Sequence, residues 1–259
     1  MKSMETFASI QAMAKFCRQW LNDALSSLPA GRFFNIALSG GSTPAALFDA
    51  LVALEKDAVS AGQPGLPWQT IRFFWGDERC VSPEDLDSNY RMTKVHLFDP
   101  LGISSDQAHR IWGENDPVRE VKRYRDTLRT MLPLTGGFPC FDLVVLGLGD
   151  DGHTASIFPG NEALFNTSQW CAAVVHPVTG QARVTLTGSL INRASAVAFL
   201  VTGAGKASII ATIRHQVASC ETGGSSETAT LPAALVAPID GRLCWLLDEA
   251  AAAGLQNED

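Results

Sequence analysis

The segment FFNIALSGGSTPAALFDALVAL, residues 33–54, carries the pattern that decides the fold. Its first six residues form a short apolar run without helical periodicity, which predicts a buried strand. The SGGSTP turn at residues 39–44 ends that run, and apolar residues then recur at helical spacing over residues 45–54. The segment therefore predicts a strand, a glycine-rich turn and a helix in direct succession.

The same succession recurs along the chain. Further strands are predicted at IRFFW (71–75), FDLVVL (141–146), CAAVV (171–175), RVTLT (183–187), AVAFLV (196–201) and LCWLL (243–247). Further helices are predicted from Phe7 to about Ser27 and over residues 86–98, 115–132 and 206–217. Apolar strands alternating with helices predict a doubly wound α/β fold, Rossmann-like, with a mainly parallel sheet and helices on both faces. We expect residues 1–259 to form one domain.

The composition and charge of the chain argue against several classes of partner and location. The chain has 259 residues, and its 20 Lys and Arg against 27 Asp and Glu give a formal charge of -7. No Lys/Arg-rich run is present, so a nucleic-acid partner is not expected. No apolar stretch approaches the ~18 residues that a membrane span needs, so no membrane partner is expected either. Glu5, Lys15 and Arg18 interrupt the apolar N-terminal pattern, which argues against a signal peptide and favours a cytoplasmic location.

The cysteines point to the same kind of compartment. The chain has six of them: Cys17, Cys80, Cys140, Cys171, Cys220 and Cys244. They are widely scattered, form no CxxC pair, and in several cases lie inside apolar runs. Free thiols in a reducing environment are therefore favoured over disulfides.

Four loops that follow predicted strands carry unusual chemistry. They are SGGSTP (39–44), GDER (76–79), GLGDDGH (147–153) and TGAGK (202–206). In open α/β sheets ligands bind beyond the carboxyl ends of the strands, so we expect the four loops to converge on one site. The Gly/Ser/Thr-rich stretch at 219–230 is a further exposed loop, either a lid or, as we favour, a connection.

Two of the loops predict an anion site. In SGGSTP, Gly40 and Gly41 let the backbone approach a ligand, and N–H groups around Ser42 and Thr43 face it where a helix begins. The alternative is a plain tight turn capped by Ser42 or Thr43. Lys206 begins the helix after TGAGK, where the macrodipole disfavours a cation unless an anion or ample solvent compensates it. The loops match neither nucleotide-binding pattern, GxxxxGKS/T or GxGxxG, so a nucleotide is not indicated.

GLGDDGH and GDER supply groups for chemistry. We expect Asp151 and His153 at a strand-to-helix turn, where Asp151 orients the imidazole and the helix N-terminus favours its neutral form. A neutral, oriented histidine beside a phosphate pocket is a general base, and the alternative is a structural histidine bonded to the backbone. Arg79 either pairs with a carboxylate or holds a substrate oxyanion, and it cannot act as a base because its guanidinium stays protonated.

Other chemistries fit the sequence poorly. There is no GxSxG elbow and no HExxH motif, and the remaining histidines lack ligand-like spacing: His96, His109, His176 and His215. No metal or cofactor is therefore expected, apart from adventitious metal binding at Asp150, Asp151 and His153. A Schiff base on Lys206 has no supporting pattern, and His176 is expected in an exposed loop.

The chain resembles a known family over most of its length. Six stretches occur in family order: LSGGSTP (38–44), FFWGDERCVSPEDLDSNYRM (73–92), LGLGDDGHTASIFPG (146–160), RVTLT (183–187), TGAGKA (202–207) and LPAALVAPIDGRLCWLLDEAAA (231–252). Together they resemble the 6-phosphogluconolactonase family, which is related to glucosamine-6-phosphate deaminase.

The resemblance implies a phosphosugar lactone as substrate, hydrolysed in the oxidative pentose phosphate pathway without a cofactor. It implies that His153 is the catalytic base and that Asp151 orients it. The phosphate-binding residues that it implies are Gly40, Gly41, Ser42, Thr43, Arg79 and Lys206. A monomer is compatible with the sequence.

Two alternative functions are weaker. The related deaminase loop reads DGHIAFNEP, with a relay glutamate five residues after the histidine, whereas Phe158 occupies that position in this chain. A non-catalytic phosphosugar sensor would need an attached DNA-binding module, and the residues before the predicted strand at Phe33 are expected to leave no room for one. A sensor would also have no use for an oriented Asp151 and His153 pair.

Overall fold

The computed structural model describes residues 2–221 and 230–255. The strands of this part are β1 (Lys2–Phe7), β2 (Phe34–Leu38), β3 (Ile71–Trp75), β4 (Asp77–Arg79), β5 (Leu134–Thr135), β6 (Phe138–Pro139), β7 (Leu143–Leu146), β8 (Cys171–Val175), β9 (Ala182–Leu186), β10 (Ala196–Val201) and β11 (Arg242–Asp248). The helices are α1 (Ile10–Ser26), α2 (Ser42–Ser60), α3 (Asn89–Thr93), α4 (Asp99–Leu101), α5 (Pro117–Met131), α6 (Gly188–Ile191), α7 (Ala207–Glu221) and α8 (Glu249–Ala252).

A six-stranded sheet in the order β1-β11-β10-β7-β2-β3 forms the centre of the fold. Every neighbouring pair in it is parallel. The predicted doubly wound α/β fold is therefore confirmed. The chain order runs outward in both directions from the β2/β7 pair, with β3 beyond β2 and β10 beyond β7. Such a reversal is where open α/β sheets place their ligands.

Both faces of the central strands are covered. Successive residues of a strand point to opposite faces, and all residues of β2, β7 and β10 are buried. Leu21 of α1 and Leu51 of α2 share a small apolar cavity with Leu38 of the sheet, which places both helices against one face. Continuous burial of this kind explains why these strands are uninterrupted apolar runs rather than alternating patterns.

Two of the predicted strands lie outside the parallel sheet. CAAVV and RVTLT form strands β8 and β9, but these pair with β4 in a separate antiparallel sheet in the order β4-β9-β8. The residues of β8 are alternately more and less buried, as expected for a strand with one solvated face. The GDER segment, expected as a loop, supplies β4.

Two helix predictions need correction. Phe7 ends strand β1 instead of starting a helix, and α1 begins at Ile10 after the Ser9 cap. The helix predicted over 86–98 begins only at Asn89, passes through a π-helical turn at Lys94–Phe98 and continues through Pro100 to Leu101. The proline is tolerated because it stands in the first turn of α4, where its missing N–H costs little.

The structure tests part of what the sequence predicts for the cysteines, the 219–230 loop and membrane spans. Free thiols are found at Cys17, Cys80, Cys140, Cys171 and Cys244, whereas the side chain of Cys220 lies outside the described residues. Most of the 219–230 loop, residues 222–229, also lies outside them. Among the described helices, none combines the length and the apolar character that a membrane crossing requires.

Candidate functional site

The four loops converge on one open cavity of about 350 Å³ at the carboxyl ends of β3, β2, β7 and β10. These four strands are neighbours in the sheet, so the loops that follow them meet where the chain order reverses, at the β2/β7 pair. Seven of the eight predicted site residues line the cavity: Gly40, Gly41, Ser42, Thr43, Arg79, His153 and Lys206. The eighth, Asp151, contacts the cavity through His153.

The SGGSTP loop brings bare backbone to the cavity wall. Helix α2 begins at Ser42 after Gly41, whose φ of 104° lies in the region that favours glycine, and no side chain caps it. The first-turn N–H groups of a helix have no intrahelical partners, so they stay available to an anion. A Cβ on Gly40 would lie 1.7 Å from the Asn89 Oδ1 atom. The loop therefore needs glycine there for close approach, and the alternative of a Ser42 or Thr43 cap does not hold.

The TGAGK loop is tied to two of the other loops. The Thr43 and Thr202 hydroxyl groups lie 2.7 Å apart and join it to the start of α2. Lys206 Nζ donates to the Leu148 carbonyl oxygen at 2.8 Å and to the Asp150 carboxylate. The lysine side chain is 24% exposed, so it is held at the cavity and is not a freely solvated surface group.

The imidazole of His153 is oriented by Asp151. Asp151 Oδ1 lies 2.5 Å from His153 Nδ1 and also accepts the backbone N–H of His153 at 3.1 Å. Burial acts to raise the pKa of Asp151, but these contacts with His153 outweigh it, and the pKa is lowered overall. A carboxylate at Nδ1 favours the tautomer that carries a proton on that nitrogen, and in that tautomer Nε2 has the free lone pair.

The surroundings of His153 differ from the expectation in one respect. No helix follows the GLGDDGH loop; residues 154–157 form a turn closed by the Thr154–Ile157 bridge. The helix dipole therefore does not contribute to the state of His153. The ring instead packs against Phe158, with ring centroids 4.8 Å apart, and Phe158 is 1% exposed. Asp151 and this buried phenyl ring fix the imidazole between them.

Two arginines lie on one side of the cavity. Arg79 of β4 is directly opposite Arg183 of β9, and both side chains line the cavity. Arg79 Nη1 donates to the Asp87 carbonyl oxygen at 2.6 Å, and no carboxylate within the described residues forms an ion pair with it. The internal ion pair considered for Arg79 is therefore absent from this part of the chain. The Nε atoms of both arginines are buried without a hydrogen-bond partner.

Arg183 contacts a buried polar network formed by Asp77 and Ser156. Arg183 Nη1 lies 3.8 Å from Asp77 Oδ2, and Ser156 Oγ donates to that carboxylate at 2.5 Å. Burial lowers the pKa of Arg183, and the positive charge of Arg79 lowers it further. Because a guanidinium stays charged in proteins, Arg79 remains a positive charge without a carboxylate partner among the described residues, whereas Asp77 partly balances the charge of Arg183.

Glu78 ties the arginine strand to the segment that follows it. Its carboxylate accepts the backbone N–H groups of Arg79, Asn89 and Tyr90, each at 2.8 Å, and the Ser88 hydroxyl at 3.1 Å. Asn89 in turn donates to the Asp77 carbonyl oxygen at 2.9 Å. Glu78 is 2% exposed and therefore acts as a buried anchor for the wall that carries Arg79.

Sequence reasoning assigned no substrate-binding or catalytic role to several cavity residues, among them Asp77, Asn89 and Arg183. Arg183 was read only as part of a strand. The sequence does carry a signal for it: Arg183 is the charged residue of RVTLT, whose other residues are apolar or carry hydroxyl groups. Arginine is rarely buried in a strand unless it has a partner. Within residues 2–221 and 230–255, no three His, Cys, Asp or Glu side chains are grouped to hold a metal ion.

Known proteins resemble the chain over most of its length. A family profile described as glucosamine-6-phosphate isomerases/6-phosphogluconolactonase matches residues 5–245. The 6-phosphogluconolactonase of Aggregatibacter actinomycetemcomitans is 37% identical over 248 residues, 95% of this chain and 97% of that protein. That of Treponema pallidum is 43% identical over 178 residues, 69% of this chain and 71% of that protein. The solved structure of 6-phosphogluconolactonase from Trypanosoma brucei has a TM-score of 0.79 at 28% identity, covering 98% of this chain and 99% of that one.

Proposed function

The chain belongs to the glucosamine-6-phosphate isomerase/6-phosphogluconolactonase family, and we propose that it hydrolyses 6-phospho-D-glucono-1,5-lactone to 6-phospho-D-gluconate with His153 as general base. It is an enzyme of the lactone hydrolase class, in line with the relatives that match it nearly end to end. The reaction belongs to the oxidative pentose phosphate pathway. A small phosphosugar lactone is the only partner that the proposal requires, and the free thiols suit a cytoplasmic location.

The observation that carries the proposal is the contact between Asp151 and His153 at the wall of a cationic cavity. Asp151 accepts the Nδ1 proton, so Nε2 is free to remove a proton from water. The water oxygen then attacks the lactone carbonyl carbon, and the carbonyl π electrons move to the oxygen. Backbone N–H groups or the Arg79 guanidinium stabilise this oxyanion. As the tetrahedral intermediate collapses, the ring C–O bond breaks and protonated His153 donates its proton to the departing ring oxygen.

The rest of the cavity suits the phosphate of the substrate. Gly40, Gly41, Ser42 and Thr43 offer the start of α2, and Lys206 and Arg79 offer charge-assisted donors. Holding this remote group positions the lactone carbonyl against His153, so phosphate contacts would support turnover as well as capture. Arg183 adds a further positive charge directly beside Arg79.

The deaminase reaction fits the site less well. Amine release and ring opening need a carboxylate relay, and the residue at the corresponding position is Phe158, which is 1% exposed and packs on the histidine ring. A buried phenyl ring cannot transfer a proton. A non-catalytic sensor is disfavoured for a different reason, since binding alone does not require a basic nitrogen oriented by a carboxylate.

The test is lactonase turnover on freshly generated 6-phospho-D-glucono-1,5-lactone above the spontaneous rate, for the wild type and His153→Ala. His96→Ala serves as a matched control, because His96 pairs with Asp49 and does not line the cavity. We expect activity in the wild type and control, and a loss of about 100- to 10,000-fold in His153→Ala. Near-normal turnover of His153→Ala would refute the base assignment, and an inactive wild type that still binds 6-phosphogluconate would favour the sensor.

A further inference from the structure

The three cationic side chains of the cavity differ in what neutralises them. Arg183 lies beside Asp77, which is 5% exposed and fixed by Ser156. Arg79 has no carboxylate partner among the described residues. Lys206 bonds the Asp150 carboxylate, whose side chain is 88% exposed. Asp150 is therefore the one cavity carboxylate of this part of the chain that can leave its cation at little cost.

We propose that Asp150 is an internal counter-ion that competes with the substrate's phosphate for Lys206 and so lowers the affinity for phosphorylated ligands. This inference rests on the proposed function, in which Lys206 binds the phosphate. Asp150 thus sets the strength of binding, whereas the chemistry stays with His153.

The position of Lys206 does not depend on Asp150. Its Nζ atom also donates to the Leu148 carbonyl oxygen at 2.8 Å, a backbone contact that remains when the carboxylate departs. An ammonium group has three donors, so one of them stays directed to Leu148 while the others meet a ligand. The Asp150 partner of this ion pair is exposed, so solvent and salt screen the attraction and the contact is weak. A phosphate of charge roughly -1.5 to -2 can therefore displace a carboxylate of charge -1.

The same contact acts on the product as on the substrate. Hydrolysis leaves the phosphate unchanged, so Asp150 weakens the binding of lactone and phosphogluconate alike. Interactions of this uniform kind move KM and product affinity together. A reversible internal anion therefore prevents the cationic cavity from retaining its anionic product.

The experiment compares inorganic phosphate binding by calorimetry and KM for the lactone in Asp150→Asn, Asp150→Glu, Lys206→Ala and the Asp150→Asn/Lys206→Ala double variant. Asp126→Asn on α5 is the charge control, since Asp126 is an exposed acid away from the cavity. We expect Asp150→Asn to tighten phosphate binding and lower KM by about two- to fivefold. Asp150→Glu, which keeps the charge, should resemble the wild type, and in the Lys206→Ala background the gain should shrink towards unity.

Unchanged or weaker phosphate binding in Asp150→Asn, with Lys206→Ala clearly impaired, would overturn this proposal and leave the proposed function standing. Weaker binding would mean that Asp150 holds Lys206 in place, and unchanged binding that it does not compete for it. Normal phosphate binding in Lys206→Ala would overturn both the counter-ion and the phosphate site on which it depends.

Discussion

Arg79 and Arg183 stand directly opposite each other on the antiparallel strands β4 and β9. Like charges in that position destabilise a sheet, so a fold retains them only where something else repays the repulsion. Here each guanidinium has a buried Nε–H without a partner, and both side chains face the cavity. Asp77 beside Arg183 offsets part of the repulsion. In the proposed function an anionic ligand relieves the rest, so the pair would act there as an anion-binding element.

This relationship gives the first prediction. Arg79→Ala should raise KM by roughly ten- to a hundredfold, because a hydrogen bond to a charged group is worth about 1.5 to 3 kcal/mol. The free protein should lose little stability, since Arg183 loses a like-charged neighbour at the same time. Initial rates against substrate concentration and thermal unfolding measure the two effects. The control is Arg129→Ala, an exposed arginine on α5; an equal change in KM for both variants would contradict the prediction.

The second prediction concerns the loop that carries the base. A Cβ on Gly149 would lie 2.0 Å from His153 Nδ1 and 2.7 Å from Asp151 Oδ1, so Gly149→Ala must displace the imidazole from its carboxylate. We expect kcat to fall by at least about tenfold, a part of what a general base contributes. Gly205→Ala is the matched control, because a Cβ there meets nothing within 4 Å. Equal kcat values for the two variants would show that the Asp151 contact does not govern turnover.

The sequence predicts five of the six strands of the central sheet, all but β1, and the convergence of four loops, because both depend on local signals. Apolar runs that end in glycine-rich turns mark the carboxyl ends of parallel strands, and such ends meet at one edge. The residues Gly40, His153 and Lys206 stand at those ends, which is why the pattern finds them.

The remaining features depend on contacts between distant parts of the chain. Strand β9 leaves the parallel sheet because its partner is β4, over 100 residues earlier, and no local pattern records that pairing. The same pairing brings Arg183 into the cavity. The turn that follows His153 is likewise tied to a distant part of the chain, since Ser156 donates to Asp77. Lys206 and Asp150 are 56 residues apart in the sequence and come into contact only in the folded chain.

The third prediction is a pH dependence of stability. Burial raises the pKa of Glu78 from 4.5 to about 7, although three backbone N–H donors act to lower it. The folded protein then keeps a proton that the unfolded chain has already released. This contribution to stability is fully present below pH 4.5 and is lost as the pH rises through about 7.

Denaturant unfolding at about pH 4.5 and about pH 8 tests this contribution, with Glu78→Gln as the variant that cannot titrate. Between the lower and the higher pH, the wild type should lose unfolding free energy relative to Glu78→Gln. The loss should be on the order of 1.4 kcal/mol for each unit by which the pKa of Glu78 is raised. Other titrating groups are shared and cancel in this comparison. A difference that does not vary with pH would contradict the raised pKa.

The fourth prediction compares a buried and an exposed carboxylate near the start of α5. Glu120 is 0% exposed and accepts bonds from the Trp112 backbone N–H at 2.8 Å, from the Asn115 side chain at 3.0 Å and from Arg123 at 2.8 and 2.5 Å. Without the carboxylate, the Arg123 cation and the donors of Trp112 and Asn115 lose their acceptor. The alanine side chain is too small to fill the space and has no acceptor to replace it. Glu120→Ala should therefore reduce the free energy of unfolding by about 3 to 5 kcal/mol.

Glu114 supplies the matched comparison for Glu120. It forms two hydrogen bonds with Arg110 at 2.6 and 2.8 Å, yet its side chain is 38% exposed, so water replaces the lost contact. Glu114→Ala should cost no more than about 1 kcal/mol. Urea unfolding of the two variants beside the wild type measures the difference. Similar losses for both would mean that the number of hydrogen bonds, and not the burial of the charge, determines what each carboxylate contributes.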